Sequence, residues 1–128
     1  MKTNAHLIII SINMSENKTY VLSTDKEKIR FPFIEIDESN KSQINSMLID
    51  KLIEKVYVEN FLINTQPQFI TIDFDTGDDE QKNNLNIAFG FLADYTNEID
   101  TNCSWIEFNY MDPSTYNNVI FQTIQRLK

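Results

Sequence analysis

The stretch from Arg30 to Val58 constrains this chain more than any other. It reads as a strand, a polar turn and one helix, with strand-like segments before and after. Ile44, Leu48, Leu52 and Val56 recur every four residues, and Met47, Ile49 and Ile53 widen that stripe. A helix with so little polar circumference is expected to be buried against a sheet and a second element. Its expected span is Ser42 to Tyr57. Ser42 or Asn40 supplies the short side-chain oxygen that satisfies an orphan N–H of the first turn. The polar remainder is Asn45, Asp50, Lys51, Glu54 and Lys55. Asp50 with Glu54, and Lys51 with Lys55, are like-charge pairs one turn apart and mildly unfavourable. Glu54 also has Lys51 within reach, so a solvated surface network accounts for these charges.

The rest of the chain supplies strands and one more helix. Leu7 to Ser11 is a short β-branched apolar run, expected as a buried strand. Ser15-Glu16-Asn17-Lys18 is a hairpin turn into a second strand, Thr19 to Ser23. Ile29 to Ile36 contains Pro32, which cannot donate to a ladder, so this piece is an edge strand or an irregular crossover. After the helix, Phe61 to Asn64 is short and apolar. Gln68 to Asp75 alternates, setting Phe69, Thr71, Asp73 and Asp75 against Gln68, Ile70, Ile72 and Phe74. A turn from Asp75 to Glu80 then leads to a strand over Leu85 to Leu92, forming a long hairpin. Ser104 to Phe108 is another strand. Asp112-Pro113-Ser114 starts a helix, with Asp112 as cap and Pro113 at the first helical position. That helix places Tyr116, Val119, Ile120, Ile124 and Leu127 on one face. The order is strand, strand, strand, helix, strand, strand, strand, helix. It predicts an α+β fold with a mixed sheet between helices, an α/β/α sandwich in one domain spanning 1–128.

Composition narrows the function classes. Hydrophobic residues make up 41% of the chain, enough for a core. No run approaches the roughly 20 apolar residues of a membrane span. Leu7 to Ile12 has one Lys before it and no small-residue cleavage site, so it does not read as a signal peptide. Cys103 is the single cysteine, which excludes an intrachain disulfide and favours a reducing compartment. His6 is the single histidine, so a His/Cys zinc site lacks ligands and nothing argues for a Ser-His-Asp site. Net charge is −8 and uneven: residues 70–112 hold ten acidic side chains and only Lys82 as a base. Neither nucleic acid nor anionic membrane is an expected partner, since both need clustered Lys and Arg. Asn, Ile and Lys are abundant while Ala, Gly, Pro and Arg are scarce, the bias of an A/T-rich genome such as that of many phages, large viruses and some low-GC bacteria.

This order and length resemble the Nudix fold over nearly the whole chain. Phe31-Pro32-Phe33 sits where that family has a Leu-Pro-Gly-Gly turn before its catalytic helix. Trp105-Ile106-Glu107 is similar to the late Trp-bearing strand of such domains. The family's box is Gly, five residues, Glu, seven residues, Arg-Glu, an apolar residue, one position, Glu-Glu, one position, Gly and an apolar residue. Laid without gaps from its end, Val58 takes the last apolar place and Tyr57 the Gly place. Glu54 and Lys55 fall on Glu-Glu, and Asp50 and Lys51 on Arg-Glu. The family's glutamates hold a divalent metal against a pyrophosphate. Here Lys51 and Lys55 replace two of them, and their ammonium groups would repel a cation. The resemblance therefore implies a degenerate site on a retained fold.

Other clusters are weaker. Asp73, Asp75, Asp78, Asp79 and Glu80 lack the spacing of a calcium loop, and a solvated hairpin tip explains them. Cys103 has no basic neighbour in sequence to activate it. The aromatic residues are core, with some available as interface anchors. The expected function is a non-catalytic Nudix-like domain working by protein–protein contact, with no catalytic residue, metal or cofactor. It would be a small structural or accessory subunit of a larger assembly, intracellular or virion-associated. Asp78, Asp79 and Glu80 are the candidate partner contacts. One alternative is a divergent hydrolase of nucleoside diphosphate derivatives, using Mg²⁺ with Glu54 and Asp50. Another is an unrelated α+β binding module.

Overall fold

Alternation within one long apolar strand organises the protein. The computed structural model describes residues 2–26, 29–37, 41–44, 46–48, 50, 67–72, 74–76, 80, 83–93, 99, 101–109 and 117–127. Strand β1, Thr3–Asn13, is buried from Asn4 to Ser11. β5, Leu85–Leu92, runs parallel to it from Thr3↔Leu85 to Ile10↔Leu92. That contact takes one whole edge of β1, so its other neighbours must share the second edge. β2, Lys18–Ser23, pairs antiparallel with Ile10 to Asn13. β3, Phe33–Ile36, pairs antiparallel with Thr3 to His6. Between them the Leu7 N–H donates to the Pro32 carbonyl at 2.8 Å. Pro32 thus supplies the one ladder group it has, an acceptor. β4, Gln68–Thr71, lies antiparallel outside β5, and β6, Ser104–Glu107, lies antiparallel outside β2. The described sheet has the order β4-β5-β1-β2-β6, with β3 beside β1.

Turn chemistry makes the shared edge possible. Asn17, at φ 54°, closes the hairpin from β1 to β2 in a left-handed conformation that Asn tolerates. The buried Ser23 hydroxyl donates to the Asp25 carbonyl at 2.6 Å and accepts from the N–H groups of Asp25 and Arg30. The Thr24 N–H donates to the Arg30 carbonyl at 2.8 Å. These bonds fold the chain back so that β3 returns to the edge that β2 has left.

Odd and even positions of β1 serve two cores. Ala5, Leu7 and Ile9 pack with Leu22, Ile34, Leu48, Phe89, Phe91, Ala93 and Cys103. Ile8 and Ile10 pack with Val21, Phe31, Ile70, Ala88, Phe108 and the helix Asn117–Leu127, through Val119, Ile120, Ile124 and Leu127. A 3₁₀ turn, Lys41–Gln43, leads into helical residues 44, 46–48 and 50 over the first core. There Leu48 is fully buried and Ile44 and Met47 half-buried, while Ser46 and Asp50 are exposed. Helices therefore cover both faces of a mixed sheet, the expected α/β/α arrangement.

Several expected elements differ in extent. β1 begins at Thr3, four residues before the apolar run, because Asn4 and His6 continue its alternation inside the protein. The β4 ladder stops at Thr71, with a register shift between Phe69 and Thr71. Ile70 and Phe74 pack in the second core, while Ile72 between them is 57% exposed. The short apolar stretch Phe61–Asn64, residues 51–57 of the expected first helix, the cap at Asp112-Pro113 and Tyr116 lie outside the described residues.

Gly90 sets how closely the helix Asn117–Leu127 approaches the sheet. A Cβ there would collide with Thr123 Cγ2. Thr123 cannot rotate away freely, since its hydroxyl donates to the Val119 carbonyl at 2.7 Å. Gly90→Ala is expected to destabilise the fold by about 1–3 kcal/mol, the usual cost of overpacking. Adding Thr123→Ser, which removes the obstructing methyl and keeps the hydroxyl, should recover most of that loss in denaturant melts. Leu48→Ala should cost about 2–5 kcal/mol, as for other truncated buried leucines. A loss below about 0.5 kcal/mol, typical of surface sites, would show that Leu48 is not a core residue.

Candidate functional site

An open cleft of about 590 Å³ straddles β3 next to the first helical segment. Its described lining combines Arg30 and Thr24 from the loop, Phe33, Ile34 and Glu35 from β3, and Met47 from the helical turn. The volume falls within the roughly 300–1,000 Å³ of small-molecule sites. Glu35 is exposed and meets Lys2 Nζ at 3.5 Å, an ion pair of little energetic weight at this exposure.

Beside β3, the inner end of β1 carries a buried polar cluster. Asn4, His6 and Asn86 are each at most 5% exposed. Asn4 and Asn86 are register partners across β1 and β5. The Asn86 carbonyl oxygen accepts from His6 Nε2–H at 2.8 Å and from Asn4 Nδ2 at 3.3 Å, using both lone pairs. Asn86 Nδ2 in turn donates to the Asn84 carbonyl at 3.2 Å. The His6 ring lies 5.1 Å from each of the Phe33 and Phe74 ring centroids, edge-on to Phe74. Phe31 stands behind Phe74 at 6.5 Å. Asn4 Oδ1 is buried without a hydrogen-bond partner. The arrangement fixes one orientation of each amide and the imidazole, and aromatic rings shield it from water.

The residues singled out in the sequence are only partly in view. Asp50 is exposed on the helical segment. Lys51, Glu54 and Lys55 lie outside the described residues, as do Asp78 and Asp79; Glu80 is exposed. Cys103 is buried in the first core. Among the described residues no group of three or more His, Cys, Asp and Glu could hold a metal ion. Asn4, His6 and Asn86 were not anticipated. Their signal was present, since even positions 4, 6, 8 and 10 form one strand face whose first two members are polar.

No protein-family model matches the sequence, and no curated protein matches it. Solved structures do match the fold. The Nudix domain of Shewanella oneidensis NrtR, complexed with ADP ribose, aligns with TM-score 0.64 and 14% identity. That alignment covers 98% of this chain and 88% of that one. A MutT/nudix family protein from Enterococcus faecalis gives TM-score 0.65 at 7% identity, over 98% of this chain and 61% of that one. The fold is Nudix-like. The C-terminal domain of mouse MUTYH, in complex with human PCNA, also shares it, with TM-score 0.62 at 11% identity over 98% of this chain and 88% of that one. At these identities the likeness concerns fold alone.

Continuing the register that sets Glu54 and Lys55 on Glu-Glu, Ile36 takes the first glycine place and Ser42 the first glutamate place. Ile36 ends β3 and Ser42 is exposed in the 3₁₀ turn.

The polar cluster makes its own prediction. Asn86→Leu leaves the His6 and Asn4 donors buried and unmatched. Each such group costs about 1–3 kcal/mol. The variant should lose at least about 2 kcal/mol in chemical denaturation, and Asn86→Asp, which keeps an acceptor, should lose less.

Proposed function

We propose that this Nudix-like domain is non-catalytic and works through protein–protein contact, as a small structural or accessory subunit of a larger assembly. The feature that supports this most is the box register laid over the sequence. Lys51 and Lys55 occupy glutamate places, Ser42 another, and Ile36 a glycine place. Two ammonium groups and a hydroxyl do not replace carboxylates around a divalent cation. A side chain at Ile36 also obstructs the close backbone approach that glycine permits. The A/T-rich composition favours a phage or viral setting. The MUTYH domain in complex with PCNA is a neighbour of this fold found in a protein complex.

A second reading, a divergent Mg²⁺-dependent hydrolase of nucleoside diphosphate derivatives with Glu54 and Asp50 as ligands, is favoured by one observation. The 590 Å³ cleft, with Arg30 in its wall, adjoins the segment that bears the box register. A neighbour of this fold is complexed with ADP ribose. The test is a panel of nucleoside diphosphate derivatives, ADP ribose included, with Mg²⁺ or Mn²⁺. The proposal predicts no turnover above the protein-free rate. Turnover that disappears in Glu54→Gln would overturn it in favour of the hydrolase.

A further inference from the structure

The phase of the ladder between β1 and β3 decides where the β3 backbone points. In an antiparallel pair, alternate residues turn their N–H and C=O toward the partner strand, and the residues between turn theirs away. The bond from the Leu7 N–H to the Pro32 carbonyl sets that phase. With Ala5 opposite Ile34 and Thr3 opposite Ile36, the two isoleucines bond β1. The other edge of β1 agrees, since the Lys2 and Ile10 carbonyls accept from Leu85 and Ala93 beside β5, which leaves odd positions for β3. Phe33 and Glu35 therefore turn their backbone groups to the outer edge of β3. Among the described residues, β3 pairs with β1 alone, and the Phe33 N–H and C=O have no hydrogen-bond partner.

The cleft described above opens along that edge. Its lining comes from both faces of β3. Ile34 and Met47 pack with the first core, Phe31 with the second, and the Phe33 ring lies against His6. A cavity bounded by both faces of one strand lies off the edge of that strand rather than over either face. Arg30 adds a guanidinium to the lining, and the Glu35 carboxylate already meets Lys2.

We propose that the outer edge of β3 takes up an extended segment of another protein as an added strand. The segment exchanges main-chain hydrogen bonds with Phe33. It sets alternate apolar side chains against Ile34 and Met47 on one side and against Phe31 and Phe33 on the other. In this mode of recognition the main chain supplies affinity and the pockets for alternate side chains supply specificity. An acidic residue in the segment complements the Arg30 guanidinium and fixes the partner's charge. A second copy of this chain does not fit, because its own β3 edge lies in the same recess. The short length of β3, with Pro32 and Glu35, also belongs to the devices that keep an edge from pairing with its like. This names a surface for the protein-contact reading above and rests on it.

The probe is a fluorescently labelled peptide of alternating Val and Thr with Asp at each end, titrated with the full chain and followed by anisotropy. Asp at both ends meets Arg30 in either strand direction. The same peptide N-methylated at its central amides keeps every side chain and loses the donors, so it should bind at least about tenfold more weakly. Hydrogen exchange reads the edge directly. The Phe33 amide should exchange fast in the free chain and slow when the peptide binds, while the Ile34 and Ile36 amides stay slow throughout. Arg30→Gln should weaken the Asp-ended peptide by up to about fivefold, the scale of one exposed ion pair, and leave an Asn-ended peptide unchanged. Phe33→Pro removes the outward N–H without touching the ladder to β1 and should abolish binding, with a thermal melt to check the fold because the ring packs on His6. Equal affinity for the N-methylated peptide, a Phe33 amide already protected in the free chain, or no binding at all would overturn the proposal. A dimer in sedimentation that Phe33→Pro dissociates would overturn it in favour of self-association. The turnover assay above tests the absence of catalysis separately, so either statement can fail without the other.

Discussion

A strand buried on both faces and hydrogen-bonded on both edges has no access to water for its backbone. Each N–H and C=O that lacks a partner there carries a desolvation cost, so the neighbours must together cover its whole length. β1 meets this condition with three strands. β5 occupies one edge in parallel from Thr3 to Ile10. β2 and β3 divide the other, and the Leu7–Pro32 bond spans the gap between them. The loop held by Ser23 follows from that division, since the chain must leave the edge and return to it. So do the two cores, because a twofold alternation with both faces buried needs a helical layer on each side.

The inner end of β1 meets the same condition with polar residues. Asn4 and His6 occupy positions where Ile8 and Ile10 stand further along the face. The Asn86 carbonyl, placed opposite Asn4 by the parallel register with β5, accepts from both. Phe33 and Phe74 close over the imidazole. The result is a rigid polar end to an otherwise apolar layer, adjacent to the cleft along β3. Surface ion pairs such as Lys2–Glu35 add little by comparison.

Much of the fold was legible because its main elements obey one local rule each. The β-branched run Leu7 to Ile12, the hairpin turn at Asn17 and the apolar spacing from Val119 to Leu127 each specify their own structure. Pro32 marked a strand that could not lie in the middle of a ladder, and β3 is the strand outside the main path of the sheet. Two features were not legible. Asn4 and His6 carry no apolar signal, and the Asn86 side chain that bonds His6 lies 80 residues away in sequence. The bulge at Ile70 depends on pairing with β5, which no local signal in the sequence encodes. The resemblance to the Nudix fold came from element order, and fold comparison bears it out. The candidate site was less legible, because its argument rests on what replaces glutamate and glycine rather than on a constellation that attracts a ligand.

Function therefore turns on whether the strand-to-helix segment after β3 still gathers a divalent cation. Carboxylates around such an ion must outnumber nearby positive charges for the site to hold it. Lys51 and Lys55 act against that, while Asp50 and Glu54 act for it. The most direct measurement is a Mn²⁺ titration of the full chain followed by paramagnetic broadening of backbone amide signals. The account predicts no saturable broadening centred on residues 42–58 at millimolar Mn²⁺. Saturable broadening centred there, abolished by Glu54→Gln, would contradict it.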